Sequence, residues 1–252
     1  MPSAPSTLSM HRTVNARQTL IVGRDRFRIG PWHADHAIAY LSLPPESPRP
    51  TDAGLGACIE RIARGGYRSI ITSALHPDEA GPFLRHGFEE FDRLRVLAHP
   101  LRERDDANWS RPPAGVRLRR ARRSDRDAAL EVDHRAFPEF WRLDRDAMDD
   151  AETATPARRF RVADAEGVVA YAITGRSGAQ AFLQRLATDP SHSGRGIAGA
   201  LIGDALRWAA RHRCRRLLVN TQQDNHRALA LYERLGFQLT PSDLVVLSRR
   251  VT

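Results

Sequence analysis

The sequence predicts an α/β protein: a mixed β-sheet flanked by helices, with a complete C-terminal domain and a smaller N-terminal one. Short apolar runs, such as residues 217–219, alternate with helical patterns, such as residues 196–213. Residues 99–115 contain three prolines and no apolar period, as a linker does. The chain has 252 residues, of which 41% are hydrophobic, enough for two domains.

The N-terminal part, residues 13–98, follows a Ser/Pro-rich start, residues 1–12, that we expect to be disordered. Residues 66–72 and 94–98 are predicted strands, with a helix ending in Gly-Phe at residues 83–88 between them. The same order recurs at residues 214–220, 232–237 and the strand that follows. The N-terminal copy lacks a glycine turn and has Phe83 where the other has Tyr232. We interpret it as a degenerate repeat, with a chance likeness as the alternative.

The C-terminal part, residues 116–252, alternates strands and helices. Ser124 is a suitable N-cap for the first helix, which Phe137-Pro138 ends. The last predicted strand is expected to close the sheet of this part. Predicted strands occupy residues 116–119, 160–162, 168–174, 181–188, 217–219 and 244–247, and the other helices residues 143–152, 196–213 and 225–235.

The charge is strongly positive, +9, and all 39 basic residues are Arg. Such a surface attracts polyanions. The densest basic block, residues 117–126, has no interleaved aromatic residue for base stacking, which weighs against a nucleic-acid partner.

Cysteine usage and hydropathy limit the kinds of site and the cellular compartments that the sequence supports. The two cysteines, Cys58 and Cys214, form no Cys-x-x-Cys pair, so the sequence supports neither a metal site nor a redox motif. Residues 1–12 lack the apolar core of a secretory signal, and no run is long enough to span a bilayer. We therefore expect a cytoplasmic protein with no membrane partner.

A glycine-rich turn at residues 193–198, Ser-Gly-Arg-Gly-Ile-Ala, follows a predicted strand and opens a helix. A helix N-terminus presents unpaired N–H groups, and glycine lets the backbone approach a phosphate closely. Alone, this pattern indicates a phosphate site and a structural turn equally well. A second motif follows at residues 225–237: a helix that begins at Asn225, carries Tyr232 on its apolar face and ends in Gly236-Phe237.

In this order and spacing, the two motifs resemble those of the GNAT superfamily of N-acetyltransferases over about residues 116–251. The family's Arg/Gln-x-x-Gly-x-Gly/Ala pattern falls on residues 193–198, where Gly196 and Ala198 match and Ser193 departs. Its second pattern, Asn-x-x-Ala-x-x-Leu-Tyr-x-x-x-Gly-Phe, is matched by Asn225, Ala228, Leu231, Tyr232, Gly236 and Phe237.

The resemblance implies a GNAT fold, acetyl-CoA as cosubstrate and an amine acceptor. Acetyl-CoA would lie between two splayed strands, residues 183–188 and 217–220. Arg195 would replace the charge that Ser193 lacks, and Arg227 would reach the 3′-phosphate. The cofactor-binding residues implied are Leu186, Ala187 and Thr188 for the pantetheine arm, Ser193, Gly194, Arg195, Gly196, Ile197 and Ala198 for the pyrophosphate, and Asn225 and Arg227.

The resemblance also makes Tyr232 the acid that returns a proton to the leaving thiolate. It leaves the general base open between a water chain and five side chains, each of which has a surface or capping role as the simpler interpretation. These are Glu131, Asp133, His134, Glu139 and Gln184.

The acceptor could be a peptide or protein N-terminus, an amino acid or a small amine. The acidic segment at residues 144–152 could attract a cationic acceptor or be only a solvated helix face. Two other functions stay open: a non-catalytic acyl-CoA sensor, and an RNA- or ribosome-associated module suggested by the arginine excess. We expect a monomer or a homodimer.

Overall fold

The computed structural model describes residues 17–33, 35–44, 47–101 and 111–251. The predicted disordered start and residues 102–110 of the predicted linker lie outside these ranges. The strands of the described chain are β1 (Gln18–Val22), β2 (Asp25–Trp32), β3 (Asp35–Ser42), β4 (Ser69–Thr72), β5 (Glu89–Pro100), β6 (Arg117–Arg120), β7 (Ala157–Asp164), β8 (Val168–Ser177), β9 (Gln180–Thr188), β10 (Arg216–Gln222), β11 (Gln238–Leu239) and β12 (Leu244–Arg250). Its α-helices are α1 (Asp52–Arg64), α2 (Gly81–Arg85), α3 (Arg126–Ala136), α4 (Arg145–Thr153), α5 (Ile197–Arg211) and α6 (His226–Arg234).

All strands join one mixed sheet, which confirms the predicted α/β class. Their order is β1-β2-β3-β4-β12-β5-β10-β9-β8-β7-β6, and β11 pairs with β5 beside this path. The first three strands were not predicted. Arginines interrupt the apolar pattern of residues 24–29, and Gly30-Pro31 resembles a turn, although both residues lie within β2. None of the described helices is long and apolar enough to cross a bilayer.

The last strands of the two parts are exchanged. β12 pairs antiparallel with β4 and β5 of the N-terminal part, for example Ser248 with Ile71. Residues 94–100 of β5, in turn, pair with β10, from Pro100 opposite Arg216 to Leu94 opposite Gln222. The prediction that residues 244–247 close the C-terminal sheet is therefore wrong, because β5 takes that place. Its twelve residues are long enough to pair on both edges.

Apolar clusters cover both faces of the sheet. On one face of the C-terminal part, α5 and α6 pack over Leu97, Leu183 and Leu217. On the other, α3 and α4 pack over Tyr171 and Ile173. The segment between α3 and α4 also reaches the N-terminal part, where Trp32 Nε1 donates a hydrogen bond of 2.9 Å to the carbonyl oxygen of Phe140.

Helix α3 does not start at Ser124 as predicted. A short 3₁₀ turn, Arg123–Asp125, precedes it. Asp125 instead accepts the Arg122 N–H at 2.5 Å and two bonds from the Arg119 guanidinium at 2.6 and 2.9 Å. Hydrogen bonding to Arg119 lowers the pKa of Asp125 to about 2. A charged pair therefore fixes this corner, where the sequence suggested a neutral cap.

Helix α1 follows β3 as α5 follows β9, and its N-terminus is closed by the protein itself. The Thr51 side chain accepts the Gly54 N–H at 3.0 Å. The carboxylate of Asp25, only 4% exposed, accepts the Thr51 N–H at 3.2 Å and a short bond from its hydroxyl. Thr51 thus caps this helix, and the buried carboxylate of Asp25 holds Thr51 in place.

Candidate active site

Strands β9 and β10 separate partway along their length. They pair in parallel only where Gln180, Ala181 and Phe182 face residues 216–218. Beyond Phe182 and Leu218 no pairing continues, so a gap opens between residues 183–188 and 219–222. The splayed pair predicted from the sequence is present, but Leu217 and Leu218 lie in its closed part.

The backbone of β9 presents two residues to this gap. The Asp189 N–H donates to the carbonyl oxygen of Val169 at 2.9 Å, and Ala187 faces Tyr171 in the same register. Hydrogen-bonded pairs alternate along an antiparallel ladder. Leu186 and Thr188 therefore turn their N–H and C=O groups away from β8, toward the gap.

The N-terminus of α5 lies beyond the end of β9 and has no side-chain cap. Gly194 and Gly196 have φ of +77° and +80°, in the left-handed region that favours glycine. Both residues and Arg195 are exposed. Helices α1, α4 and α6 have side-chain caps from Thr51, Asp144 and Asn225, whereas α2, α3 and α5 have none. Among the described helices, α5 is distinguished by the two glycines at positive φ that precede its free N–H groups.

The turn before α5 is held by Asp189. Its carboxylate accepts the Ser191 N–H at 2.9 Å, the Ser191 hydroxyl at 2.6 Å and Arg135 Nε at 2.7 Å. These bonds lower the pKa of Asp189 to about 2, and the bond from the Ser191 hydroxyl has the largest effect. The Ser193 N–H donates to the carbonyl oxygen of Pro190 at 3.1 Å. Ser193 is therefore already bonded, and the free donors lie at residues 194–198.

The side chain of Thr188, like that of Gln184, has a polar atom that the described part of the protein leaves unpaired. Its Oγ1 atom is buried without a hydrogen-bond partner among the described residues. An unpaired buried hydroxyl is rare and calls for a partner that the protein does not supply. The open edge of β9 and the uncapped start of α5 offer backbone donors and acceptors at the same end of the strand, which suits an amide-containing arm that ends in a diphosphate.

Helix α6 packs on the same face as α5. Tyr232 is 6% exposed, and its ring centroid lies 5.4 Å from that of Phe237. Burial raises the pKa of Tyr232, so the phenol stays protonated at neutral pH. Asn225 caps the helix by accepting the Ala228 N–H at 3.1 Å. The capping role that the sequence allowed for Asn225 is the one observed, and Arg227 is exposed.

On the opposite face, Asp133 lies in a closed network. Arg185 of β9 donates two bonds to its carboxylate, at 2.8 and 2.9 Å. The Tyr171 hydroxyl and the Leu143 N–H donate at 2.5 and 2.9 Å. Asp133 is fully buried, and these four donors occupy its oxygens. It is therefore a structural anion and is poorly placed to accept a proton from a substrate.

The other candidate bases have no clearer catalytic placement. His134 Nε2 lies 2.8 Å from the Leu143 carbonyl oxygen, and the Glu131 carboxylate, 71% exposed, lies 3.8 Å from Arg135. Glu139 is exposed. Gln184 is the extra residue where the β8–β9 register shifts, and its amide packs over Gly175 of β8, away from the gap.

Sequence reasoning missed Arg185. Its guanidinium lies 3.5 Å from the ring centre of Phe137 and also donates to the carbonyl oxygen of Trp141 at 2.8 Å. The residue thus joins β9, beside the gap, to the segment between α3 and α4. No local motif marks it, since its partners lie in one distant stretch, 44 to 52 residues earlier in the chain.

Residues 126–237 match the Acetyltransferase (GNAT) family pattern. The chain is 32% identical over 219 residues to a mycothiol acetyltransferase of Clavibacter sepedonicus, covering 82% of this chain and 71% of that protein. It is 27% identical over 230 residues to a mycothiol acetyltransferase of Amycolatopsis mediterranei, covering 83% of this chain and 74% of that protein.

Solved structures share the fold. A tandem GNAT protein from the clavulanic acid biosynthesis pathway superposes with a TM-score of 0.63 at 16% identity, covering 89% of this chain and 78% of that one. A GCN5-related N-acetyltransferase from Kribbella flavida superposes with a TM-score of 0.59 at 18% identity, covering 93% and 90% of the two chains.

Proposed function

The chain belongs to the GNAT acetyltransferase family, and we propose that it moves the acetyl group of acetyl-CoA directly to a primary amine at the gap between β9 and β10. The observation that carries this assignment is the uncapped N-terminus of α5, with two glycines at positive φ, at the mouth of two splayed strands. An enzyme that binds a diphosphate needs such free backbone donors.

On the face covered by α5 and α6, the proposed contacts follow the pantetheine arm toward the pyrophosphate. Leu186 and Thr188 would bond the amides of the arm as an added strand. The N–H groups of residues 194–198 would hold the pyrophosphate, with Arg195 close enough in sequence to add charge. Ser193 is omitted because its N–H is already donated to Pro190.

The chemistry needs an uncharged amine, an attack on the thioester carbonyl and a protonated leaving group. An alkylammonium has a pKa of about 10, so a base or water must first remove a proton. The amine nitrogen then forms the new C–N bond, and the C–S bond breaks from a tetrahedral intermediate. A backbone N–H of β9 would stabilise the oxyanion. Tyr232, which burial keeps protonated, would donate its proton to the thiolate.

The acceptor would approach from the face opposite Tyr232. Side chains alternate along a strand. Leu186 points toward the α5–α6 core, whereas Arg185 points toward Asp133 and the segment between α3 and α4. The curated relatives are named mycothiol acetyltransferases. We therefore propose that the first acceptor to test is a small amine related to mycothiol, ahead of a peptide or protein N-terminus.

The N-terminal part is proposed to bind no acetyl-CoA. Asp25 and Thr51 satisfy the end of α1, and β3 and β4 stay paired from Ile38–Ser69 to Leu41–Thr72, with no gap between them. One acetyl-CoA per chain is the expected stoichiometry.

The direct experiment is a thiol-release assay with acetyl-CoA against small amines, amino acids and peptides. Amine-dependent release that coincides with acetylated product supports the proposal. Tyr232→Phe should slow release, whereas Tyr67→Phe, a matched change in the N-terminal part, should not. Binding of acetyl-CoA without transfer to any amine would instead favour the acyl-CoA sensor.

A further inference from the structure

A basic groove of about 960 Å³ runs along the edge of the sheet where β6 ends. β6 pairs with β7 only from Arg161 to Asp164, and the Ala121 N–H then reaches the Phe160 carbonyl oxygen at 3.0 Å. Residues 157–159 of β7 extend past the end of β6 and have none of the described strands beside them on this edge. The groove is separated from the gap between β9 and β10 by β8, so it is distinct from the proposed acetyl-transfer site.

Positive charge exceeds negative charge in this groove. Eight arginines line it against three carboxylates. Some pairs are strong: Arg126, for example, lies 2.7 Å from Glu152. Two others, Arg159 and Arg161, share the single carboxylate of Asp204 at 2.8 and 3.1 Å. Burial, together with the neighbouring charges of Arg161 and Arg211, lowers the pKa of Arg159, so cations are crowded here.

Three arginines of the groove lie outside its salt bridges. Arg120, Arg122 and Arg123 are exposed, and among the described residues none of their guanidinium groups forms a salt bridge or a hydrogen bond, although the charge of Arg122 helps to lower the pKa of Asp125. They follow one another at the end of β6 and the start of the next turn. Their guanidinium groups are free to bind phosphates, for which their planar fork is well suited.

The fold also brings an aromatic side chain to these cations. The basic block at residues 117–126 contains no aromatic residue, and this absence weighed against nucleic acid at the level of sequence. In the structure, Trp208 of α5 lines the same groove. It is half-buried, and its ring centroid lies 4.9 Å from that of His212. Basic grooves with an aromatic platform are typical of proteins that bind single strands.

We propose that this groove binds single-stranded nucleic acid, with phosphates on Arg120, Arg122 and Arg123 and a base against Trp208. Charge alone would also suit an acidic peptide, but the aromatic wall beside the free guanidinium groups favours a ligand that alternates phosphates with flat rings. A duplex keeps its bases stacked and could not use that wall. The inference does not depend on the proposed acetyl transfer.

The test is fluorescence anisotropy of the full chain with a labelled single-stranded oligonucleotide of about 12 residues at several salt concentrations. Losing three phosphate contacts should lower the slope of log K against log salt by about 2. By the same coefficient, a triple variant with Arg120, Arg122 and Arg123 each changed to Gln should bind about 100-fold more weakly near 0.1 M salt. Trp208→Leu should weaken binding at least about fivefold.

The control is a second triple variant in which Arg24, Arg61 and Arg68, exposed residues of the N-terminal part, become Gln. It loses the same net charge and should bind nearly as wild type, because charges distant from the ligand are screened at this ionic strength. Equal weakening by both triple variants, no binding by the wild type, or tighter binding of a duplex or a polyglutamate peptide would overturn the proposal. Thermal melts of each variant, compared with wild type, show that it is folded.

Discussion

Replacing Gly196 with Ala tests the proposed phosphate site at an exposed glycine of the turn before α5. Gly196 has φ of +80°, and a Cβ placed there meets no atom within 4 Å. The cost to the free protein is therefore backbone strain alone, about 1–2 kcal/mol for an L-residue in the left-handed region. For a chain of this size, that strain corresponds to a fall in Tm of roughly 2–8 °C. The added methyl group would occupy the space into which a phosphate oxygen comes.

Gly66→Ala is the matched control. Gly66 has φ of +85°, also with open space around a Cβ, and lies after α1 in the N-terminal part. Both variants should lose similar thermal stability. Only Gly196→Ala should raise the Kd for acetyl-CoA, by at least about tenfold, which corresponds to about 1.4 kcal/mol of binding free energy. Calorimetric titration with acetyl-CoA and thermal melts measure the two effects. Unchanged affinity in Gly196→Ala, or an equal loss of affinity in both variants, would show that this turn does not hold the phosphate.

Three other perturbations follow from the same geometry. Tyr232→Phe should lower kcat by about 10- to 100-fold with little change in the KM for acetyl-CoA, and an unchanged kcat would remove Tyr232 from the mechanism. Above about pH 4, Asp189→Asn should have a lower free energy of unfolding than wild type, measured by urea unfolding. The difference should vanish as pH falls through about 2, because the pKa of Asp189 is lowered in the folded protein and protonation breaks its ion pair with Arg135. Asp25→Ala should lower the free energy of unfolding by about 1–3 kcal/mol by leaving Thr51 unpaired, and a neutral result in urea would show that the carboxylate does not hold α1.

The turn from β9 into α5 could be predicted from the sequence because its determinants are local. Gly194 and Gly196 are needed for positive φ, and the helix that follows is amphipathic over several turns. The same is true of α6, whose cap at Asn225 and end at Gly236 lie within a single segment.

The exchange of β5 and β12 could not be predicted in this way. Residues 94–98 and 244–247 are both apolar runs that follow a helix ending in Gly-Phe, so either could complete either half of the sheet. The pairing depends on the length of β5 and on contacts between distant segments. Strands β1 to β3 were not predicted for a related reason. Arginines and Pro31 interrupt the alternation of apolar and polar residues in β2, so the strand depends on packing with the rest of the sheet.

The roles of polar side chains depended even more on tertiary structure. Asp133 looked like one of several possible bases on a helix, but Arg185 and Tyr171, both far along the chain, convert it into a buried, fully bonded anion. The basic block at residues 117–126 likewise gained an aromatic neighbour, Trp208, that no local pattern could supply. Backbone geometry set by local sequence was therefore easier to predict than the partners of polar side chains.

Hydrogen–deuterium exchange of backbone amides, with and without coenzyme A, shows whether the start of α5 holds the diphosphate. We expect slower exchange at Leu186, Thr188 and residues 194–198 when coenzyme A is present, and no change at residues 51–54, where α1 begins. Unchanged exchange at residues 194–198 under saturating coenzyme A, or equal protection at residues 51–54, would contradict this expectation.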